Sequence, residues 1–182
     1  MKVLSVTSEV YPLIKTGGLA DVAGALPSAL AAQGVDMRTL VPGYPKVMAA
    51  LDQTGASFPF EGGRVVMATG GGLDLFVLDW PELFDRAGGP YSGVDGRDYP
   101  DNPARFSALS RAAIAIGNGQ GGWQPDLIHA HDWQAALVPV YARYATRIPT
   151  VLTIHNIAFQ GRYDGAVFGD LGLPDAAYQM DG

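Results

Sequence analysis

Apolar positions along the chain gather in short runs that alternate with longer stretches of helical period. Val3 to Val6 has the length and composition of a buried strand. Leu19 to Ala32 reads as a helix in which Pro27 marks a kink or a first turn, and Gly34 stops it. Met37 to Val41 predicts a second strand ending at Pro42-Gly43. Arg64 to Ala68 and Leu73 to Leu78 predict a hairpin pair around Gly70-Gly71-Gly72. Asp101 or Asn102 is placed to cap a helix with Pro103 in its first turn, whose apolar face carries Phe106, Leu109, Ala113 and Ile116. Gly117 to Gly122 breaks that helix. Leu127 to Ala130 then reads as a strand, Gln134 to Ala145 as a helix, and Thr150 to Ile154 as a β-branched strand. Strands alternating with helices predict an α/β fold: a mostly parallel sheet with helices on both faces, and an antiparallel excursion from Gln53 to Ala68.

Composition narrows the class. The 182 residues are 48% hydrophobic, enough for a real core and for one domain or a large part of one. Lys and Arg number 12 against 18 Asp and Glu, a net charge of −6 that argues against non-specific binding of nucleic acid or a membrane surface. An anionic ligand must therefore be met locally. The chain has no cysteine, which excludes disulfides, thiolate metal sites and a cysteine nucleophile, and which agrees with a cytoplasmic protein. Glu9 interrupts the first apolar run, so the N-terminus lacks the continuous apolar centre of a signal peptide. No stretch is apolar for long enough to span a membrane.

Candidate chemistry begins at Lys15-Thr16-Gly17-Gly18-Leu19, a glycine turn between the first strand and the first helix. Adjacent glycines let backbone approach a ligand, the helix start offers N–H groups to a phosphate, and Lys15 offsets its charge. The spacing is neither that of a Walker loop nor that of the three-glycine dinucleotide fingerprint, and a glycine pair after a strand is also an ordinary turn. A second motif, His129-Ala130-His131-Asp132-Trp133, runs out of the end of a strand. Alternation puts His129 and His131 on one face, half of a metal site if Asp132 and His155 joined them. The plainer reading makes His129 a satisfied core histidine and packs Trp133 under the following helix. Asp132 stands equally as an N-cap and as a ligand contact. The third motif, Thr153 to Gly161, places His155 just past a strand end. Lys15 to Gly18, Asp132 and His155 thus leave three strands at their carboxyl ends, where open α/β sheets bind ligands.

These blocks, together with Asp21-Val22 to Pro27, Pro42 to Pro45, Gly88-Gly89-Pro90-Tyr91 and Tyr99 to Asn102, resemble bacterial glycogen synthases and plant starch synthases in order and spacing. The resemblance covers essentially the whole chain. It implies a retaining hexosyltransferase that moves glucose from ADP-glucose to the non-reducing 4-hydroxyl of an α-1,4-glucan, without a metal ion or other cofactor. It also implies a B-type glycosyltransferase fold of two Rossmann-like domains across a cleft, with residues 1–182 as the N-terminal, acceptor-side domain. The C-terminal nucleotide-sugar domain is then absent, and Met180-Asp181-Gly182 resembles a point where the family continues. On that reading the chain alone is expected to be inactive.

The same resemblance assigns Lys15 to the donor, with the backbone of Gly17 and Gly18 near its phosphates, and expects His155 and Asp132 at the reacting sugar. His155 suits orientation of the anomeric carbon through its ring or carbonyl. Asp132 and Asn156 are candidates for sugar-hydroxyl contacts, and Tyr91 for stacking on the glucan, although Gly-Pro-Tyr is also a plain turn. Asp21 either bonds within the cleft or favours the early helix turn by its charge. Two other readings compete: a non-catalytic glucan-binding pseudoenzyme, and a metal-dependent hydrolase using His129, His131, Asp132 and His155.

Overall fold

In the computed structural model, residues 1–178 are described, and the segment Met180 to Gly182 lies outside them. Seven strands form one sheet: β1 (Lys2–Val6), β2 (Asp36–Pro42), β3 (Gln53–Phe60), β4 (Gly63–Gly70), β5 (Leu73–Asp79), β6 (Leu127–His131) and β7 (Thr150–Thr153). Their order is β3-β4-β5-β2-β1-β6-β7. The pairs β1/β2, β2/β5, β1/β6 and β6/β7 are parallel, whereas β3/β4 and β4/β5 are antiparallel. The expected antiparallel excursion is therefore β3 and β4. Val3, Leu4, Ser5 and Val6 are all buried, and because alternate residues point to opposite faces, both sides of the central strand are covered.

The helices are α1 (Gly18–Ala31), α2 (Pro45–Ala49), α3 (Pro81–Phe84), α4 (Asn102–Gly117), α5 (Asp132–Ala135) and α6 (Leu137–Ala145), followed by 3-10 turns at Gly165–Leu171 and Asp175–Tyr178. Helix α1 runs through Pro27 and packs against β2. Helix α4 lies against β1, β2 and α6 and is buried almost all round, including Arg105, Ser107 and Ser110. Helices of that kind belong to the centre of a domain.

Two local expectations change. Neither Asp101 nor Asn102 caps α4 through its side chain. Asp101 instead takes both Arg86 guanidinium nitrogens at 2.8 and 2.6 Å, and Asn102 donates to the Tyr91 carbonyl at 2.9 Å. Burial raises the Asp101 carboxyl, but the Arg86 hydrogen bonds and charge outweigh it and hold the group below the usual carboxylate range. The expected helix from Gln134 to Ala145 is divided at Ala136 into α5 and α6. Pro139 lacks the N–H that would bond the Ala135 carbonyl, so the helical ladder is broken at that point.

Candidate functional site

The sheet order reverses at β1: from there the chain goes outward through β2 and later returns to the other flank with β6. A crevice at the carboxyl ends of β1 and β6 follows from that topology. Thr7 to Gly18 leave β1 into it, and His131 with Asp132 leave β6.

Glu9 organises the first loop. It is 3% exposed, and its carboxylate accepts the Thr16 hydroxyl at 2.7 Å, the Thr16 and Gly17 amides, and the Tyr91 hydroxyl. Ser8 bonds the same phenol at 2.8 Å. Burial and the neighbouring Glu9 charge both push the Tyr91 hydroxyl up, so it stays protonated and donates to the carboxylate. The Gly17 amide, one of those expected to cradle an anion, thus already holds one. What remains is the first turn of α1, which has no side-chain cap. Apart from the adjoining backbone, no heavy atom lies within 4 Å of where a Cβ would stand on Gly17 or Gly18, so that face of the turn is open to an approaching group. Lys15 bonds both oxygens of Asp21 at 2.7 Å in an exposed pair. Such a pair is weak, so Lys15 can exchange Asp21 for an incoming anion.

The second loop is held from three directions. Asp132 adopts φ 56°, and its carboxylate caps no amide of α5; it accepts the His155 backbone N–H at 2.6 Å. His131 is fully buried, with Nε2 3.1 Å from Ser5 Oγ and Nδ1 2.9 Å from His155 Nε2. His129 Nε2 meets Thr153 Oγ1 at 2.7 Å, and its ring lies 4.1 Å from that of His131. Burial, and then the neighbouring histidines, push His131 down to about 3; burial and His155 lower His129. Both ring nitrogens of His131 are engaged, and the described residues contain no cluster of three or more metal-ligand side chains. His129 has the partner that a structural histidine needs. Trp133 lies against Phe106 with ring centres 5.1 Å apart and against Tyr163 at 5.9 Å. Gly161, at φ 59°, passes under it, where a Cβ would sit 2.5 Å from the indole.

Contacts join the two loops. Tyr91 packs on Phe106 at 6.0 Å, Phe106 on Trp133, and Trp133 follows Asp132. Lys15, Gly17, Gly18, Asp21, Tyr91, Asp132 and His155 therefore stand along one connected rim. Asn156 is turned to a local task, its Oδ1 accepting the Ala158 amide at 3.0 Å. Beside them, Trp133, Gln160, Gly161 and Tyr163 contribute to a recess of about 370 Å³. Sequence reasoning missed three residues of this rim. Glu9 and Ser5 are a lone carboxylate and a lone hydroxyl in or just after an apolar strand, a signal in itself, since such groups are buried only with partners. Arg105 is the third. Its guanidinium, 1% exposed, donates to the carbonyls of Leu83 and Pro90 at 2.7 and 2.9 Å and to Asn102 at 2.6 Å. Its charge also sits over the Tyr99 ring at 4.7 Å, which fixes the Tyr91 loop to α4.

Comparison with known proteins gives concordant findings. The sequence model described as the starch synthase catalytic domain matches residues 2–182. The glycogen synthase of Rhodopseudomonas palustris (strain BisB18) is 56% identical over 98% of this chain and 38% of its own length. Glycogen synthase 1 of Rhizobium radiobacter is 56% identical over 100% of the chain and 40% of its own. Among solved structures, the catalytic domain of starch synthase IV from Arabidopsis thaliana, bound to ADP and acarbose, matches with a TM-score of 0.75 at 28% identity. That match covers 100% of this chain and 38% of the other. The chain spans about two fifths of the length of these relatives.

Proposed function

The chain belongs to the starch synthase catalytic-domain family, and from that premise we propose that it is the acceptor-side Rossmann-like domain of a retaining glucosyltransferase. The reaction breaks the bond between the anomeric carbon and the diphosphate of ADP-glucose and forms one to the 4-hydroxyl at a non-reducing α-1,4-glucan end. The nucleoside is held by the part of the relatives' length that this chain does not span. One observation carries the reading: an uncapped helix start beside Lys15 and a histidine held by Asp132 share the rim at the reversal of the sheet.

Glycosyl transfer develops negative charge on the leaving phosphate and positive charge on the sugar. The first turn of α1, with Lys15 released from Asp21, meets the phosphate. His155, its backbone fixed by Asp132, orients the glucose, and of Asn156, whose Oδ1 is taken by the Ala158 amide, only the side-chain N–H group is left for a sugar hydroxyl. The Tyr91 hydroxyl is spent on Glu9 and Ser8, so its part is the ring face, offered to the glucan. Among the described residues no helix is long and apolar enough to cross a membrane.

The test is to assay the chain, alone and extended by the remaining three fifths of the Rhizobium radiobacter relative, with labelled ADP-glucose and glycogen. The extended protein is expected to label the polymer, and the chain alone is expected to leave it at background. An extended protein that folds and binds glucan without transferring glucose would replace the enzyme by the pseudoenzyme reading. In the extended protein, Lys15→Gln should raise the donor KM more than it lowers kcat, because the charge meets the phosphate in ground and transition states alike. His155→Ala should lower kcat by about a hundredfold or more with a smaller change in donor affinity, as lost positioning predicts.

A further inference from the structure

Ser5, His131 and His155 come from β1, β6 and the loop after β7, and they form one line of hydrogen bonds: Ser5 Oγ to His131 Nε2 at 3.1 Å, then His131 Nδ1 to His155 Nε2 at 2.9 Å. Each link can run in either direction, but the two directions are not independent. A neutral imidazole carries one N–H, so if His131 receives a proton bond at Nε2 it must give one at Nδ1, and the reverse.

The start of the line sets its direction. Ser5 is wholly buried, and among the described residues its hydroxyl has no side-chain partner except His131. Were His131 Nε2 to donate, the Ser5 O–H would be stranded in the core. If Ser5 donates, only a lone pair is left unfilled, which is the lesser loss. His131 cannot escape the choice by taking a second proton. It has no solvent exposure, the tilted ring of His129 packs on one side of it, and no carboxylate bonds it.

We propose that Ser5 and His131 hold His155 in the neutral tautomer protonated at Nδ1, so that His155 presents a fixed N–H donor to the sugar and does not act as a general acid or base. The proton order is Ser5 O–H to His131 Nε2, then His131 Nδ1–H to His155 Nε2. Protonating His155 would set an Nε2–H against the Nδ1–H of His131, and both bonds behind it would have to reverse. His131 is thus a positioning residue that acts through His155. Asp132 faces this line through the His155 backbone, its carboxylate accepting the His155 amide. The sugar role rests on the function proposed above; the proton placement does not.

Nitrogen NMR tests it directly, and the chain has only three histidines to assign. Long-range proton–nitrogen spectra of the uniformly labelled 182-residue chain are expected to show His155 and His131 both carrying hydrogen on Nδ1 at pH 7. A His155 signal of the Nε2–H type in the parent chain would overturn the proposal without any variant. His131→Leu removes the donor and should let His155 revert to the Nε2–H form that an unconstrained histidine side chain prefers; an unchanged His155 tautomer in a folded variant would also overturn it. In the extended protein the same change should lower kcat about tenfold with donor KM altered less than threefold. If the extended protein transfers no glucose while His155 keeps Nδ1–H, the enzymatic reading falls and the proton placement is supported.

Discussion

At the scale of single residues, the buried carboxylate of Glu9 is the group on which most depends, since four donors from two loops converge on it. Glu9→Gln keeps one carbonyl oxygen for the loop amides but cannot accept from both the Thr16 and Tyr91 hydroxyls. A loss of about 1–3 kcal/mol is expected in urea unfolding. Tyr91→Phe should cost less, and the double variant less than the sum, because the two changes remove the same bond. Asp132 poses a different question. Asp132→Asn keeps an oxygen for the His155 amide and removes the charge. A parent-like kcat and melting temperature in that variant would confine Asp132 to holding the loop and remove its charge from the chemistry. His131 gives a pH dependence whose sign follows from burial. Its folded value of about 3 lies below the ordinary imidazole range, so the unfolded chain binds the proton more readily. The stability contribution is complete above about pH 6.5. It is lost as pH falls from there toward 3, by up to about 1.4 kcal/mol per pH unit. Urea titrations of the parent and of His131→Leu across that window should differ in slope.

At the scale of elements, the periodicity of the apolar residues was enough to place β1, β2, β4, β5, β6, β7, α1 and α4, because each buries a run or a stripe long enough to show its period. Boundaries and breaks were less visible. The division between α5 and α6 depends on one missing N–H at Pro139, and the start of α4 is shaped by partners far from it, Arg86 and Tyr91. The rim residues Lys15, Asp132 and His155 were legible because they follow strands. Glu9, Ser5 and Arg105 were not, because their work is defined mostly by partners 7 to 126 positions away, which local sequence does not reveal. Arg105 ties α4 to the loop before it. Arg105→Ala would leave the Leu83 and Pro90 carbonyls and the Asn102 side chain without their donor, with an expected loss of about 3 kcal/mol in thermal or urea unfolding. The same variant should loosen Tyr91 and raise the glucan KM of the extended protein.

At the scale of the whole molecule, the sheet ends at β7, an edge strand with Val151 46% and Leu152 39% exposed, continued by Ile154, Ile157 and Phe159, which are more exposed still. Unpaired strand backbone beside apolar side chains invites association. Sedimentation of the chain alone should show concentration-dependent self-association, and Val151→Lys should suppress it; a monomer at all concentrations would count against this edge as the cause. The sheet order also has a consequence in time. Strand β1 pairs on one flank with β2, complete by residue 42, and on the other with β6, complete only at residue 131. On a ribosome adding roughly 5–20 residues each second, those partners arrive about 5–20 s apart. During that interval the strand that will stand at the centre of the sheet is an edge. Pulsed hydrogen exchange during refolding should accordingly find β2, β4 and β5 protected before β6 and β7, because long loops close late. The crevice then comes into being only once β6 has been made, and a chain stalled before residue 131 exposes β1 to whatever strand reaches it first.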